Sequence, residues 1–262
     1  MRRYPDCVKV VILAGGTGSR LSEETEARPK PMVEIGGKPI LWHIMKHYSH
    51  HGFDDFVLCL GYKGDYIKRW FAEQLRFATD MTVDFRTGEI TNHGDIAGDW
   101  RVTLVDTGEK TETAGRLLAI KEHVGDETFL MTYGDGVSDI DVQDSVRFHR
   151  AHGKLATVTA VHPIGRFGHM EINERQVLDF HEKPQMDAGW INGGFFVLEP
   201  GVFDIIPGNV DWARAPMEKL ASNGELMAYQ YEGFWQCMDT LRDKVYLQEL
   251  WETGDAPWKV WN

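Results

Sequence analysis

The sequence has few cysteines and no long apolar run. Its three cysteines, Cys7, Cys59 and Cys237, are far apart and odd in number, which favours reduced thiols, with Cys59 in the core. No stretch approaches the roughly 18 apolar residues that a membrane span needs. The short apolar run near the N-terminus leads straight into glycines, unlike a signal peptide. These absences predict a cytoplasmic protein with no membrane partner.

Basic residues are scarce as well. The chain has 28 Lys+Arg against 40 Asp+Glu, a formal net charge of −12. Phosphate backbones and anionic membranes select for broad basic faces, so this balance argues against a nucleic-acid partner but leaves room for a local cationic site. Hydrophobic residues make up 42% of the 262 residues, enough for the core of one large domain.

The order of apolar segments predicts an α/β fold. "KVVILAGG" is typical of a buried strand, and the next segment, "KPILWHIMKHYSHHGF", has the apolar spacing of a helix. "DDFVLCLGYKGDYIKRWFAEQL" repeats this strand–helix order, which indicates parallel strands flanked by helices. We expect a single domain, 1–262, with a nucleotide-binding half at about 1–153. The remaining part, about 154–262, is strand-rich and ends in a helix before Gly254, whereas residues 80–104 lack clear periodicity.

The glycine-rich turn after the first strand gathers cations. Gly15, Gly16 and Gly18 precede Arg20, but Leu21 occupies the third-glycine position of a dinucleotide fingerprint, and the turn lacks a P-loop Gly-Lys-Ser/Thr end. Exposed backbone N–H groups in such a turn can still hold phosphate oxygens. Lys30 follows between two prolines in "RPKP", which stiffen its backbone. This pattern favours a phosphate site over a simple solvated turn.

The motifs then resemble those of a known family. "GGTGSRL" followed by "RPKP" is similar to the signature of the sugar-1-phosphate nucleotidylyltransferases, also called sugar-nucleotide pyrophosphorylases. Further blocks, among them "GYKGDYIK", "YGDG", "INGGFFVL" and "GFWQCMDTLRDKVYL", resemble the branch that uses glucose 1-phosphate and CTP. The resemblance implies a Rossmann-like nucleotidyltransferase fold with a mixed, mostly parallel sheet and a β-rich sugar-binding portion. It also implies conversion of CTP and α-D-glucose 1-phosphate into CDP-glucose and pyrophosphate, a step towards the deoxysugars of surface polysaccharides. A homo-oligomer is expected.

The chemistry of this reaction predicts cations and carboxylates. The attacking sugar phosphate is already an anion, so the site must mainly overcome repulsion between two polyanions. Arg20, on the β- and γ-phosphates, and Lys30, near the α-phosphate and the attacking oxygen, are the expected catalytic cations. Asp135 and Asp239 are the expected Mg²⁺ ligands. If the family resemblance is set aside, the position of Asp135 is also compatible with a turn, and that of Asp239 with a helix N-cap.

The resemblance assigns the remaining site residues. The expected nucleotide-binding residues are Leu13, Ala14, Gly15, Gly16, Thr17, Gly18, Ser19, Arg20, Lys30, Thr113, Arg116 and Gly134. The expected sugar-phosphate-binding residues are Gly168, Glu182, Lys183, Asn192 and Gly193. Thr113 and Arg116 would read the base, in a segment where this chain has Ala114 instead of a first glycine. Gly193 and Gly194 interrupt a strand pattern, which we interpret as close approach of a ligand.

Several alternatives remain open at this point. A sister enzyme using UTP, dTTP or another sugar 1-phosphate, a glycosyltransferase using Asp139 and Asp141, and a non-catalytic subunit of the same fold are all compatible with parts of the pattern. Asp141 is more typical of a helix start.

His43 and His47 are interpreted as part of a solvent-exposed helix face and not as a metal site. The tail residues Trp251, Trp258 and Trp261 are expected to pack within the chain or against a neighbour.

Overall fold

The first apolar run forms a buried strand at the centre of a large sheet. A computed structural model describes residues 8–18, 21–93, 100–163, 169–173, 176–181 and 189–261. The strands in these residues are β1 Val10–Leu13, β2 Glu34–Ile35, β3 Lys38–Pro39, β4 Asp55–Leu60, β5 Asp80–Asp84, β6 Glu89–His93, β7 Arg101–Asp106, β8 Phe129–Tyr133, β9 Gly136–Ser138, β10 Ala156–Val161, β11 His169–Asn173, β12 Gln176–His181, β13 Ile191–Leu198, β14 Leu226–Tyr231 and β15 Trp235–Cys237. The α-helices are α1 Ser22–Thr25, α2 Ile40–His50, α3 Gly64–Arg76, α4 Thr113–Ala119, α5 Lys121–Val124, α6 Val142–His152, α7 Ala215–Ser222 and α8 Leu241–Thr253.

The central sheet has seven strands in the order β14-β10-β13-β8-β1-β4-β7. Strand β1 lies parallel to both β4 and β8, with Val10 paired to Phe56 on one side and to Leu130 on the other. Strand β13 runs antiparallel to both of its neighbours, β8 and β10. The predicted α/β fold with a mixed, mostly parallel sheet is therefore confirmed. Strands from both sides of residue 153 pair in this one sheet.

Both faces of the sheet are covered, because alternate residues of β1 enter different cores. Val10 and Ile12 belong to a cluster that includes side chains of α2, α3, α6 and α8, together with the tail residues Trp258 and Trp261. Val11 and Leu13 belong to a second cluster with side chains of α4 and α7. A strand buried on both faces reads as a continuous apolar run, which is why "VVIL" was recognisable in the sequence. Trp258 and Trp261 pack within the chain, which decides between the two expectations for the tail.

The segment without periodicity contains structure of its own. Residues 80–93 form the β5–β6 hairpin, and β7 joins the edge of the central sheet beside β4. Every residue of β6 is exposed, so this strand has no buried face to impose alternating hydrophobicity. The sequence pattern therefore missed these strands.

The prediction that His43 and His47 lie on a solvent-exposed face of α2 is wrong. His43 is fully buried, and its Nε2 atom lies 2.8 Å from the carbonyl oxygen of Ile35. His47 is 3% exposed. The metal alternative gains no support either, since the described residues hold no group of three or more His, Cys, Asp or Glu side chains that could bind a metal. The helix is buried on a broader face than its apolar residues alone indicated.

Asp141 is the N-cap of α6, as its position before a helical pattern predicted. Its side chain accepts hydrogen bonds from the main-chain nitrogens of Gln143 and Asp144. Asp139 accepts a hydrogen bond from the Tyr231 hydroxyl at 2.5 Å. Both aspartates of the candidate glycosyltransferase motif are therefore engaged in hydrogen bonds within the chain, Asp141 at the start of α6 and Asp139 with β14.

Across the described ranges, none of the helices combines the length and the apolar character needed to cross a membrane.

Candidate active site

A cavity of about 330 Å³ opens where β1 and β8 end. In parallel sheets, ligands bind at the carboxyl ends of the strands, and this cavity lies at that edge. The residues that line it are Leu13, Ala14, Gly15, Gly16, Thr17, Gly18, Lys30, Pro31, Thr111, Glu112, Thr113, Arg116, Tyr133, Gly134, Asp135 and Asp239. The structure thus brings the glycine turn, the predicted cation Lys30 and both predicted metal aspartates to one place.

The glycine turn is shaped by what surrounds it. A side chain at Gly15 would collide with the Arg116 guanidinium, since an added Cβ would lie 2.2 Å from Nη1. Gly18 has a φ of +63° and packs against Lys30 and Thr25, so it also excludes a side chain. Gly16, in contrast, is exposed and has open space where a Cβ would be. A phosphate can therefore approach the backbone closely at the middle of the turn.

Lys30 lies between the two aspartates. Its Nζ atom is 2.6 Å from Asp135 Oδ2 and 2.5 Å from Asp239 Oδ1. Burial lowers the pKa of the Lys30 ammonium, but the charges and hydrogen bonds of Asp135 and Asp239 outweigh burial, so the pKa is raised above its usual value. The lysine is therefore a fixed positive charge at the cavity and not a proton-transferring group.

The two aspartates come from elements that pair with each other. Asp135 precedes β9, Asp239 follows β15, and these strands pair antiparallel with Cys237 opposite Gly136. The main-chain nitrogen of Met238 also donates to the carbonyl oxygen of Asp135 at 2.8 Å. Two carboxylates that both contact one cationic nitrogen can also share one divalent ion. Asp239 is not the helix cap that its position suggested, because Thr240 is the N-cap of α8.

Arg116 is hydrogen-bonded to three segments around the cavity. Its Nη2 atom donates to the carbonyl oxygen of Gly15 at 2.9 Å, and its Nη1 atom donates to the carbonyl oxygens of Leu60 and Gly108 and to the Thr107 hydroxyl at 2.8–3.0 Å. The side chain is 3% exposed. These bonds join the glycine turn to the ends of β4 and β7. A contact between Arg116 and a nucleobase stays a prediction.

The segment predicted to contact the nucleobase, 113–116, forms the start of α4. The Thr113 hydroxyl donates to Asp211 at 2.9 Å and accepts from the Trp212 nitrogen at 2.6 Å, so its orientation is held from two sides. Ala114 is fully buried in the second core cluster. Its methyl group, the departure from the family pattern, therefore points into the core.

The glycines of β13 are explained by packing within the chain. A Cβ at Gly193 would lie 3.0 Å from the carbonyl oxygen of Thr159, and Gly194, at a φ of +80°, packs against the Tyr133 ring. Packing within the chain is therefore already sufficient to require both glycines, and the interpretation that a ligand approaches them stays a prediction. Asn192 turns its Oδ1 atom to the Gly194 nitrogen at 2.8 Å. The sugar contacts of Asn192 and Gly193 stay predictions.

Five of the expected site residues lie outside the described residues: Ser19, Arg20, Gly168, Glu182 and Lys183. Four cavity residues were not among the expected site residues, namely Pro31, Thr111, Glu112 and Tyr133. Pro31 had entered the sequence reasoning only as a proline that stiffens the backbone at Lys30. Tyr133 could have been found, because it ends a parallel strand directly before Gly134. Thr111 and Glu112 immediately precede Thr113, but their loop position offered no pattern to distinguish them.

Comparisons with known proteins agree with this geometry. The sequence model of the nucleotidyl transferase family matches residues 9–236. The chain is 56% identical to glucose-1-phosphate cytidylyltransferase of Salmonella typhimurium over 97% of this chain and 100% of that protein, and 44% identical to a probable glucose-1-phosphate cytidylyltransferase of Bacillus subtilis with the same coverage. The crystal structure of HddC from Yersinia pseudotuberculosis shares the fold, with a TM-score of 0.69, 22% identity, and coverage of 93% of this chain and 99% of that one. The chain therefore belongs to the nucleotidyl transferase family, as its motifs predicted.

Proposed function

We propose that this protein transfers the cytidylyl group of CTP to α-D-glucose 1-phosphate, giving CDP-glucose and pyrophosphate. The observation that carries the proposal is the placement of Lys30 between Asp135 and Asp239, beside a glycine turn, in a cavity at the carboxyl edge of the sheet. Relatives that share 56% and 44% of the sequence across their full length are described as glucose-1-phosphate cytidylyltransferases. Together they support both the reaction type and the two substrates.

The residues of the site match what this reaction demands. The phosphate oxygen of glucose 1-phosphate attacks the α-phosphorus of CTP, the bond to the β-phosphate oxygen breaks, and pyrophosphate leaves. Because the nucleophile is an anion, no side chain needs to remove a proton. Lys30 supplies a fixed positive charge that offsets repulsion between the substrates and stabilises charge in the transition state. The open backbone at Gly16 offers room for the triphosphate.

Asp135 and Asp239 fit a magnesium ion. Mg²⁺ prefers oxygen ligands and takes few carboxylates, with phosphate oxygens and water completing its shell. The two carboxylates contact a common cationic nitrogen, so they lie close enough to share one ion. When bound, the metal would neutralise phosphate charge and favour departure of pyrophosphate. Lys30 would then be available to the substrates.

The remaining expected contacts complete the proposal. Arg20 follows the glycine turn by two positions, which suits contact with the β- and γ-phosphates. Gly168, Glu182, Lys183, Asn192 and Gly193 would bind the sugar phosphate, with Lys183 on its phosphate and Glu182 on its hydroxyls. These assignments follow the family pattern in the second half of the chain.

The rival functions find less support. A glycosyltransferase would use Asp139 and Asp141, but both side chains accept hydrogen bonds within the chain, and neither lines the cavity that holds Lys30. A non-catalytic subunit has no need of a buried lysine held between two carboxylates. A uridylyl- or thymidylyltransferase has the same phosphate chemistry, so only the choice of nucleotide separates it from the proposed enzyme.

Pyrophosphate release in the presence of Mg²⁺ and glucose 1-phosphate tests the proposal. CTP, UTP, dTTP, ATP and GTP are offered separately, and the nucleotide sugar is identified by mass. We expect CTP to be preferred clearly over the other four. Preference for UTP or dTTP would move the protein to a sister activity, and release with none would leave a binding protein.

We further propose that the protein acts in the cytoplasm as a homo-oligomer. A free, fully buried Cys59 and a free Cys237 suit a reducing compartment. Exposed apolar side chains are concentrated at the end of α3 and on the β5–β6 hairpin, where Phe85 is 94% exposed. Patches of this kind commonly mark contacts between proteins.

A further inference from the structure

The first turn of α8 is bonded to the chain on which Asp239 stands. Asp243 Oδ2 accepts hydrogen bonds from the main-chain nitrogens of Asp239 at 3.0 Å and Thr240 at 2.8 Å, and from the Thr240 hydroxyl at 2.8 Å. Its Oδ1 atom accepts a hydrogen bond from the Gln236 side chain at 3.2 Å. One carboxylate therefore fixes the main chain from the end of β15 to the start of α8.

The same helix also holds the chain on both sides of Lys30. Lys244 forms an ion pair with Glu24, and both side chains are only about a quarter exposed. Gln248, one turn further along α8, accepts a hydrogen bond from the Gly36 nitrogen at 2.9 Å. Glu24 lies six positions before Lys30, and Gly36 lies six positions after it. The segment that carries Lys30 is thus bonded to α8 on both sides of Lys30.

These contacts bear on the distance between Lys30 and Asp239 in the candidate site. Lys30 and Asp239 are 209 positions apart in the chain, yet Nζ and Oδ1 are 2.5 Å apart. The two segments are far apart in the chain, so their relative position depends on tertiary contacts: the pairing of β15 with β9 is one, and the contacts of α8 are another. Helix α8 contacts both, and its Leu247 is fully buried in the core that packs against the sheet. The helix is therefore anchored in the core and bonded to the segments that carry both groups.

We propose that Asp243, Lys244 and Gln248 are positioning residues that fix Asp239 and the segment carrying Lys30 relative to each other. This inference rests on the proposed function, because it assigns Lys30 and Asp239 their roles at the triphosphate. None of the three lines the cavity, so they act through Lys30 and Asp239, which do. Groups that orient metal ligands typically change metal affinity or activity by about 10- to 100-fold when altered.

Two variants and two matched controls test this assignment. Asp243→Asn removes the carboxylate that accepts from the Asp239 main chain. Asp141→Asn removes a similar capping carboxylate from the start of α6 that does not line the cavity. Lys244→Gln breaks the pair with Glu24, and Glu225→Gln breaks a half-exposed pair with Lys154. Turnover, the Mg²⁺ concentration for half-maximal rate, the melting temperature, and calorimetric binding of CTP with Mn²⁺ are measured for each.

We expect Asp243→Asn to raise the Mg²⁺ requirement and weaken Mn²⁺–CTP binding about tenfold, as for other groups behind metal ligands. Lys244→Gln should lower kcat about tenfold with a smaller change in the KM for CTP, since misplacement of a catalytic group acts mainly on the chemical step. The controls should lose a similar amount of thermal stability but keep wild-type kinetics. The exchanged pair Glu24→Lys with Lys244→Glu should recover turnover that Lys244→Glu alone loses.

Equal kinetics in the variants and their controls would overturn the inference, as would failure of the exchanged pair to recover turnover. A wild-type protein that releases no pyrophosphate from CTP would instead refute the proposed function. In that case binding of Mn²⁺–CTP still decides the role of α8, because calorimetry requires no turnover.

Discussion

At the scale of single residues, the site depends on one lysine whose charge is kept despite burial. Lys30 is 12% exposed, and its environment would favour the neutral amine if Asp135 and Asp239 were absent. The two aspartates in turn depend on a cation, because two carboxylates this close repel each other. The three side chains therefore form a mutually dependent set, and Lys30 cannot be replaced without changing the other two.

Lys30→Ala is expected to lower kcat by about 10²- to 10³-fold, the usual loss when one preorganised charge-stabilising group is removed. It should also make thermal stability depend on Mg²⁺, because the metal can replace the lost cation between Asp135 and Asp239. Steady-state kinetics and melting curves with and without Mg²⁺ measure both effects. Lys38→Ala, at an exposed lysine in β3, is the control. Near-normal turnover of Lys30→Ala would remove Lys30 from the mechanism.

At the scale of elements, the β5–β6 hairpin stands apart from the rest of the fold. Val83 and Ile90 are paired across its strands and are both more than 40% exposed. Leu75 and Phe77, at the end of α3, are also exposed. A two-stranded hairpin is marginally stable alone. Its apolar side chains are explained if another copy of the chain covers them.

Phe85→Glu is therefore expected to shift the protein towards a smaller species without lowering its monomer stability. A charge placed in a buried apolar interface weakens association, whereas the same charge in water costs little. Analytical ultracentrifugation over a range of concentrations measures the shift. Leu178→Glu, at an exposed leucine of β12, is the matched control. A wild-type protein that sediments as a monomer at every concentration would contradict the proposed assembly.

At the scale of the whole molecule, folding removes several histidines from water. Burial lowers the pKa of His43 to about 4 and that of His47 to about 3, with the neighbouring His51 lowering the latter further. His149 is 1% exposed, and burial lowers its pKa too, against the opposing effect of Glu199. The folded protein keeps these rings neutral at a pH where the unfolded chain protonates them.

Stability should consequently fall as the pH drops below about 6.5, the ordinary pKa of histidine in the unfolded chain. Between that pH and the lowered pKa values the unfolded state binds more protons, so each fully shifted histidine costs about 1.4 kcal/mol per pH unit. Urea unfolding at pH 7, 6 and 5 measures the slope. His47→Gln should reduce it by about one proton. An unchanged slope in His47→Gln would show that His47 does not contribute.

Much of the fold was predictable because its signals are local. The continuous apolar run of β1, the spacing of α2 and the glycine that ends α8 each follow from neighbouring residues. The hairpin at residues 80–93 was missed because its strands bury no face, and the burial of His43 depended on Ile35 and Trp258, which meet it only in the folded chain.

The candidate site divides in the same way. The types of group at the site follow from local sequence, because a glycine turn, a lysine between prolines and aspartates beside strand ends retain their chemistry in any context. Their arrangement follows from how the chain folds. Folding placed Lys30 within 2.6 Å of aspartates from distant parts of the chain, and it bonded Arg116 to three backbone segments. Such distances depend on how the sheet orders its strands and where α8 packs, and no local pattern encodes them.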